Sequence, residues 1–363
     1  MPSARKMTVL LKPENCGCCC RKASQEMHSR PGERPISGFQ KAQNTVYPPR
    51  MSRFLVRAGY GLLATVLASL LLCTGARLAT PLSEIRSWAF QLQNVDPVEI
   101  KLSPYDLIVI DYGFDRRNAT AFPREVVDLM RHRSNGRKRL ILAYLSIGEA
   151  ENYRYYWQDN WLAVPPGWLR PENPDWPGNY VVQYWDPGWQ AILYGSPNAY
   201  LDRILAAGFD GVYLDGAEKF EQWVSTRPSA ASDMVDLIGA IASYGRAHRN
   251  DFLIIPQNGD RLLDNPRFVE MIDGFAREDL LYNETEDQVR NPPASILESL
   301  RRMRPVVAAA KPILVIEYTT DPRLAASVLR ELKELGLIGY VGRRDLKRLS
   351  PPAFGCGQPD CSQ

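Results

Sequence analysis

Gly208-Phe-Asp-Gly-Val-Tyr-Leu-Asp215-Gly216 is the stretch on which the fold turns. A helix-length segment ahead of it stops at Ala207-Gly208, an apolar run follows, and the run ends on a carboxylate. A continuous apolar run between turn signals reads as a strand buried on both faces. Three other segments repeat the pattern: Leu107-Ile-Val-Ile-Asp111-Tyr112, Leu140-Ile-Leu-Ala-Tyr-Leu-Ser146-Ile-Gly-Glu149 and Ile313-Leu-Val-Ile-Glu317-Tyr318. A carboxylate just past the C-terminal end of a buried strand stands where a parallel α/β barrel places its chemistry. Four such endings, separated by helix-length segments, predict a (β/α)8 barrel enzyme that works with carboxylates.

Working outward, the strand candidates number nine: Ser87–Gln93, Leu107–Tyr112, Leu140–Ser146, Tyr180–Asp186, Gly211–Asp215, Phe252–Gly259, Ile272–Glu278, Ile313–Tyr318 and Ile338–Gly342. Helices are expected at Phe122–Arg133, at Ser232–His248 with Ser232 as N-cap, at Pro293–Met303, and at Pro322–Leu335 with Gly336 as the stop. Nine strands exceed the eight places of a barrel. The gap between the first two is short for a crossover of about a dozen residues. Either Ser87–Gln93 or Ile338–Gly342 is therefore expected to be an accessory strand. The competing fold, an open doubly wound sheet, usually carries a glycine-rich phosphate turn. Neither G-x-G-x-x-G nor G-x-x-x-x-G-K-[ST] occurs here.

The 363 residues carry a formal charge of +3, unevenly spread. Residues 1–50 are net +6, and everything from Arg77 onward is net −5. An acidic body speaks against a nucleic-acid groove, which needs a basic stripe, and is compatible with a cationic ligand. Residues 51–76 read as an export signal. Arg53 and Arg57 form its basic flank, Ala58 to Leu72 its apolar stretch, and Thr74-Gly-Ala76 its small-residue cleavage point. Met51 is then the favoured start, and the product secreted or periplasmic. If Met1 is the start, residues 58–76 become an N-terminal anchor behind a disordered basic head, residues 1–50. The barrel is expected over residues 80–350, followed by a tail, 351–363. In that tail Cys356 and Cys361 either pair or remain free thiols.

What the chain lacks narrows its chemistry. It has three histidines, His28, His132 and His248. The last two sit at basic helix ends, where a cation suits the helix dipole. No cysteine lies between Thr74 and Gly355. Neither a Ser-His-Asp triad nor a His-rich zinc site fits that inventory, and no cofactor or metal is called for. Carboxylates remain: Asp111, Glu149, Asp186, Asp215, Glu278 and Glu317 all stand at expected strand ends. Two carboxyls facing across a pocket are the machinery of glycoside hydrolysis. A single Asp at such a junction is as readily a helix N-cap. A sugar pocket also wants flat rings. Six of the eight tryptophans fall between Trp157 and Trp189, with Tyr153, Tyr155, Tyr156, Tyr180 and Tyr184 among them. Those rings either bind sugar or pack a long loop onto the barrel.

Taken together, Tyr144-Leu-Ser-Ile-Gly-Glu149-Ala-Glu151, Gly208–Asp215, Gln257-Asn258-Gly259, Asp273-Gly-Phe-Ala-Arg-Glu278 and Glu317-Tyr318 resemble glycoside hydrolase family 114. The resemblance spans roughly Trp88 to Leu346. It implies a (β/α)8 barrel with endo-α-1,4-polygalactosaminidase activity. Similar sequences are often labelled cysteinyl-tRNA synthetase-related, but neither H-x-G-H nor K-M-S-K-S occurs here. By the resemblance Asp215 is the nucleophile or charge stabiliser and Glu278 the general acid/base. Asp111, Tyr112, Tyr144, Ser146, Glu149, Trp185, Gln257, Asn258, Glu317 and Tyr318 are expected to bind substrate. Trp185 is expected as a stacking ring at the end of the fourth strand, and Glu149 and Glu151 as charges at the cleft mouth. The family often has a second Asp shortly after the strand of Asp215, where Ala217-Glu218 stands here. The expected partner is a polysaccharide substrate, with no nucleic acid and a membrane met only through a possible N-terminal anchor. Two alternatives stay open: a non-catalytic carbohydrate-binding barrel, and a barrel hydrolase acting on another polysaccharide.

Overall fold

The computed structural model describes residues 81–114, 120–283 and 289–350. The export segment, the basic head and the Cys356/Cys361 tail lie outside the described residues. Eleven strands follow one another among those described: β1 Trp88–Gln91, β2 Leu107–Ile110, β3 Leu140–Ser146, β4 Glu149–Glu151, β5 Leu169–Glu172, β6 Asn179–Val182, β7 Gly211–Asp215, β8 Leu253–Pro256, β9 Phe275–Glu278, β10 Ile313–Tyr318 and β11 Ile338–Gly342.

Eight of them are parallel and form a (β/α)8 barrel. One ladder runs β1-β2-β3-β7-β8 and a second β9-β10-β11. A single bridge, Gln257 to Ala276, links the two. On the other side β11 faces β1 without a ladder among the described residues. Hydrogen bonds span that seam: Trp88 Nε1 donates to Ile338 O at 2.9 Å, and the Leu92 amide to Leu346 O at 3.0 Å.

Both terminal candidates are thus barrel strands, contrary to expectation. The accessory candidate is Tyr180–Asp186, whose ordered part, β6, pairs antiparallel with β4 and β5. The burial patterns give the physical reason. Along β1 and β2 every residue is buried, as suits a strand covered on both faces, whereas β6 alternates. The first crossover is short because its helix, Pro97–Leu102, has only six residues. Asp96 starts that helix by accepting from Val98 N at 2.8 Å, with Pro97 in the first turn. The four helices expected from the sequence run Arg124–Arg131, Ala230–His248, Pro293–Arg302 and Pro322–Glu334, and Pro187–Leu193, Tyr200–Ala207, Pro266–Met271 and Arg304–Ala308 are helical as well. Ser232 is not a cap: the helix begins two residues earlier, and its hydroxyl donates to Ser229 O at 2.8 Å.

Aromatic rings fill the barrel interior. Phe90 and Tyr213 lie 5.1 Å apart, Trp88 and Tyr213 6.0 Å, and Trp88 and Tyr340 5.9 Å. Each such pair adds about 0.5–1.5 kcal/mol beyond the burial of its area. Side chains two apart on a strand share a face. Tyr213 below therefore aligns Asp215 above it on β7, with its carboxyl at the C-terminal end of the barrel.

Candidate active site

A cleft of about 940 Å³ opens at that end. Of the expected site residues, Asp111, Tyr144, Glu149 and Asp215 line it, as do Gln257, Asn258, Glu278 and Tyr318. Asp215 ends β7 and Glu278 ends β9, with β8 between them.

Asp215 is held from two directions. Tyr144 OH donates to its Oδ2 at 2.6 Å and the Gly216 amide to its Oδ1 at 2.8 Å. Burial raises its pKa, against the pull of the Tyr144 hydrogen bond and the nearby Lys219 ammonium. The turn after it is tightly seated. Gly216 has φ 81°, and a Cβ on Gly148 would lie 2.3 Å from Gly216 O. Only glycines let the loops after β3 and β7 approach so closely.

Glu278 receives hydrogen bonds from the Gln257 amide on Oε2 and from Tyr318 OH on Oε1. Its backbone N–H donates to Asn258 Oδ1 at 3.1 Å. Burial pushes its pKa up to about 8, opposed by the Tyr318 hydrogen bond and reinforced by the charges of Asp279 and Asp215. The Oε1 of Gln257 is buried without a partner among the described residues. Asn258 (φ 57°) and Asp279 (φ 53°) are both left-handed, so the turns after β8 and β9 carry strain beside the carboxyl they position.

Four expected residues fall outside the lining. Tyr112 is buried with its ring 4.8 Å from that of Tyr200. Ser146 donates to Glu149 O at 3.0 Å and shapes the turn into β4. Glu317 accepts the amides of Leu281 at 2.6 Å and Tyr282 at 3.2 Å, so it props the loop that follows Glu278. Trp185 follows β6 in a turn rather than ending a barrel strand. Its ring lies 4.8 Å from that of Trp223 and 4.3 Å from the Arg227 guanidinium. Asp186 is an N-cap, accepting from Gly188 N at 2.7 Å.

Glu149 and Glu151 are not exposed mouth charges. They are 5% and 1% exposed. Glu149 accepts Asn173 Nδ2 at 2.7 Å and pairs with Lys219 Nζ at 3.2 Å. Glu151 and Asp111 share Arg154, at 2.6 and 2.7 Å. Burial nonetheless raises Asp111 to about 6, with Arg154 pulling the other way.

Sequence reasoning missed Arg154, Glu218, Lys219, Trp176 and Arg344, all of which line the cleft. Lys219 follows Asp215 by four residues, a helical-turn spacing that was open to view. Arg344 was not, because its partner Asp279, at 2.8 Å, is 65 residues away. Glu218 reaches Lys219 Nζ at 3.6 Å, and burial with the Asp215 charge raises it to about 7. The aromatic segment divides. Trp157, Trp161, Trp168 and Trp189 pack edge-on or tilted against one another in series, 5.1 Å between ring centres at each step, as loop packing. Trp176 alone of the six is exposed. Among the described residues no group of three or more His, Cys, Asp or Glu side chains could hold a metal ion.

The model of Glycoside-hydrolase family GH114 matches residues 74–353. An uncharacterized protein of Methanocaldococcus jannaschii, MJ1477, is 36% identical over 272 residues, covering 71% of this chain and 75% of its own. One from Deinococcus radiodurans is 38% identical over 274 residues, 74% and 83%. The glycoside hydrolase domain of PelA from Pseudomonas aeruginosa superposes with a TM-score of 0.56 over 73% of this chain and 97% of that domain. Its identity is 19%, a likeness of fold.

Proposed function

Because the chain belongs to Glycoside-hydrolase family GH114, we propose that it is an endo-acting hydrolase of an α-1,4-linked, galactosamine-containing polysaccharide, with Asp215 and Glu278 as its working pair. One observation supports the reading: the two strand-end carboxyls line one cleft and are held by different hydrogen-bond partners. Glu278, pushed to about 8, keeps its proton at neutral pH and can give it to the leaving glycosidic oxygen. Asp215, with two hydrogen-bond donors and Lys219 nearby, is the better anion and faces the oxocarbenium-like centre. Burial raises both carboxyls, and their unlike hydrogen-bond partners are what would let one site divide acid and base roles between them. Water then adds its hydroxyl to the anomeric carbon, and its remaining proton restores the acid.

Charge supports this choice of polymer. The cleft is lined by nine acidic side chains against four basic ones, an acidic excess that remains when Glu278 holds its proton. Free amino groups on a partly deacetylated polymer are cationic and complement that excess. The test is to incubate residues 77–363 with partly deacetylated α-1,4-galactosamine polymer and to seek oligosaccharides by mass spectrometry. Products of several lengths are expected. Tight binding without cleavage would favour a carbohydrate-binding barrel, and cleavage of a different polysaccharide alone would replace the substrate.

A further inference from the structure

We infer that Trp176 is a stacking subsite for a pyranose ring of the bound polymer, carried by a separate element from the Asp215–Glu278 pair, and that it favours long chains over short ones. The inference rests on the activity proposed above and adds a binding site to it.

Trp176 sits on the turn between β5 and β6 and lines the cleft, with 46% of its surface exposed. The neighbouring tryptophans find rings to pack against, but among the described residues no aromatic ring stacks on Trp176. An indole left in water forgoes the burial that its neighbours obtain. The turn that holds it is firmly built. The Asn179 amide donates to Trp176 O at 3.0 Å, the Asp175 amide to Asn173 Oδ1 at 3.0 Å, and the Gly178 amide to Glu172 Oε1 at 2.6 Å. Gly178 takes φ 95°, which a residue with a Cβ would resist.

The same turn is indexed to the reacting pair. Buried Asn173 donates to Glu149 Oε1 at 2.7 Å. That oxygen also meets Lys219 Nζ at 3.2 Å, on the turn that leaves Asp215. Two polar links thus fix the indole relative to the catalytic turn. A platform held in place before the ligand arrives loses little entropy on binding. A flat ring with an apolar face and a polar edge suits the C–H face of a pyranose.

The experiment compares Trp176→Ala and Trp176→Phe with the parent protein on polymer and on oligosaccharides of two or three sugars. Binding of uncleaved polymer is read in the Glu278→Gln background. Trp176→Ala should weaken polymer binding and raise its KM about tenfold, the scale of one aromatic anchor. Turnover of the short oligosaccharides and the melting temperature should stay unchanged, and Trp176→Phe should recover part of the loss. Polymer hydrolysis with unchanged KM and binding in Trp176→Ala would overturn the subsite while leaving the activity standing. An equal loss on short and long chains would also overturn it, as would a fall in melting temperature with unchanged affinity. A parent protein that neither cleaves nor binds the polymer would overturn both readings.

Discussion

The two ends of the barrel use the same residue type in opposite ways. At the N-terminal end, Asp106, Asp210 and Asp273 each stand just ahead of a strand region and accept an amide from the neighbouring strand's start. Asp106 takes Ser87 N at 3.1 Å, Asp210 takes Ile141 N at 2.9 Å and Asp273 takes Ile254 N at 2.8 Å. Each also pairs with arginine: Asp106 with Arg133, Asp210 with Arg131 and Arg249, Asp273 with Arg246. These carboxylates complete the sheet and are saturated by donors. At the C-terminal end Asp215 and Glu278 have no arginine partner among the described pairs and are held by tyrosine, amide and backbone donors. Burial without a direct ion pair, with Lys219 only near Asp215 and Arg344 only near Glu278, keeps their protonation adjustable. The difference teaches that what surrounds a strand-end carboxylate decides whether it serves the fold or chemistry, and that position along the strand sets those surroundings.

The sharpest way to break this contrast is to neutralise one carboxylate at each end. Asp215→Asn and Glu278→Gln should keep a normal melting temperature and lose about 10²–10⁴-fold in turnover, the scale of an acid/base group. Asp210→Ala should do the reverse. It strands two arginines and one amide, costs about 3 kcal/mol, and lowers the melting temperature while the folded fraction stays active. Calorimetry beside initial rates reads both. An Asp210 variant that is stable but inactive would collapse the distinction.

A smaller effect follows from protons. Glu278 and Glu317 are both raised by burial from an ordinary 4.5 to about 8. Between those values the folded chain keeps protons that the unfolded chain has released. Their contribution to stability is therefore greatest below about pH 4.5 and falls as pH rises toward about 8. Melting temperature should decline across that window, and Glu278→Gln should flatten the decline. Hydrolysis should fail above about pH 8 as Glu278 loses its proton. A rate still rising at pH 9 would remove Glu278 as the acid.

The smallest test concerns Ser146, at the same strand end as Tyr144 but turned to structure. Ser146→Ala loses one hydrogen bond, to Glu149 O at 3.0 Å. It should cost about 1 kcal/mol and leave turnover within a factor of two or so. A large loss of activity would return Ser146 to the site.

Much of the fold was legible because a doubly buried strand is largely apolar, and all eight barrel strands fall within the nine candidate runs. Tyr180–Asp186 misled because an antiparallel strand in a side sheet has similar composition, and only its alternating burial separates it. That Asp215 and Glu278 end strands was legible too, since a carboxylate at the end of an apolar run advertises itself, but choosing them from six such carboxylates took the family resemblance. Glu317 shows where that signal stops: it ends a run as Asp215 does, yet it is spent on the amides of Leu281 and Tyr282. Trp185 and Trp176 show the same for the rings. Both are tryptophans in one loop-rich segment, and nothing local says which is covered.

By itself, then, the sequence determined the parallel barrel, the Asp215 and Glu278 strand ends and the scarcity of histidine and cysteine in the body, because these depend on residue type and short-range periodicity. Tertiary structure alone decided which carboxylates are saturated, that Arg154 joins Asp111 to Glu151, that Arg344 meets Asp279, and that Trp176 faces the cleft. Those depend on pairings between residues far apart in the chain and on burial. Both are set by how the elements pack, and no local pattern records them.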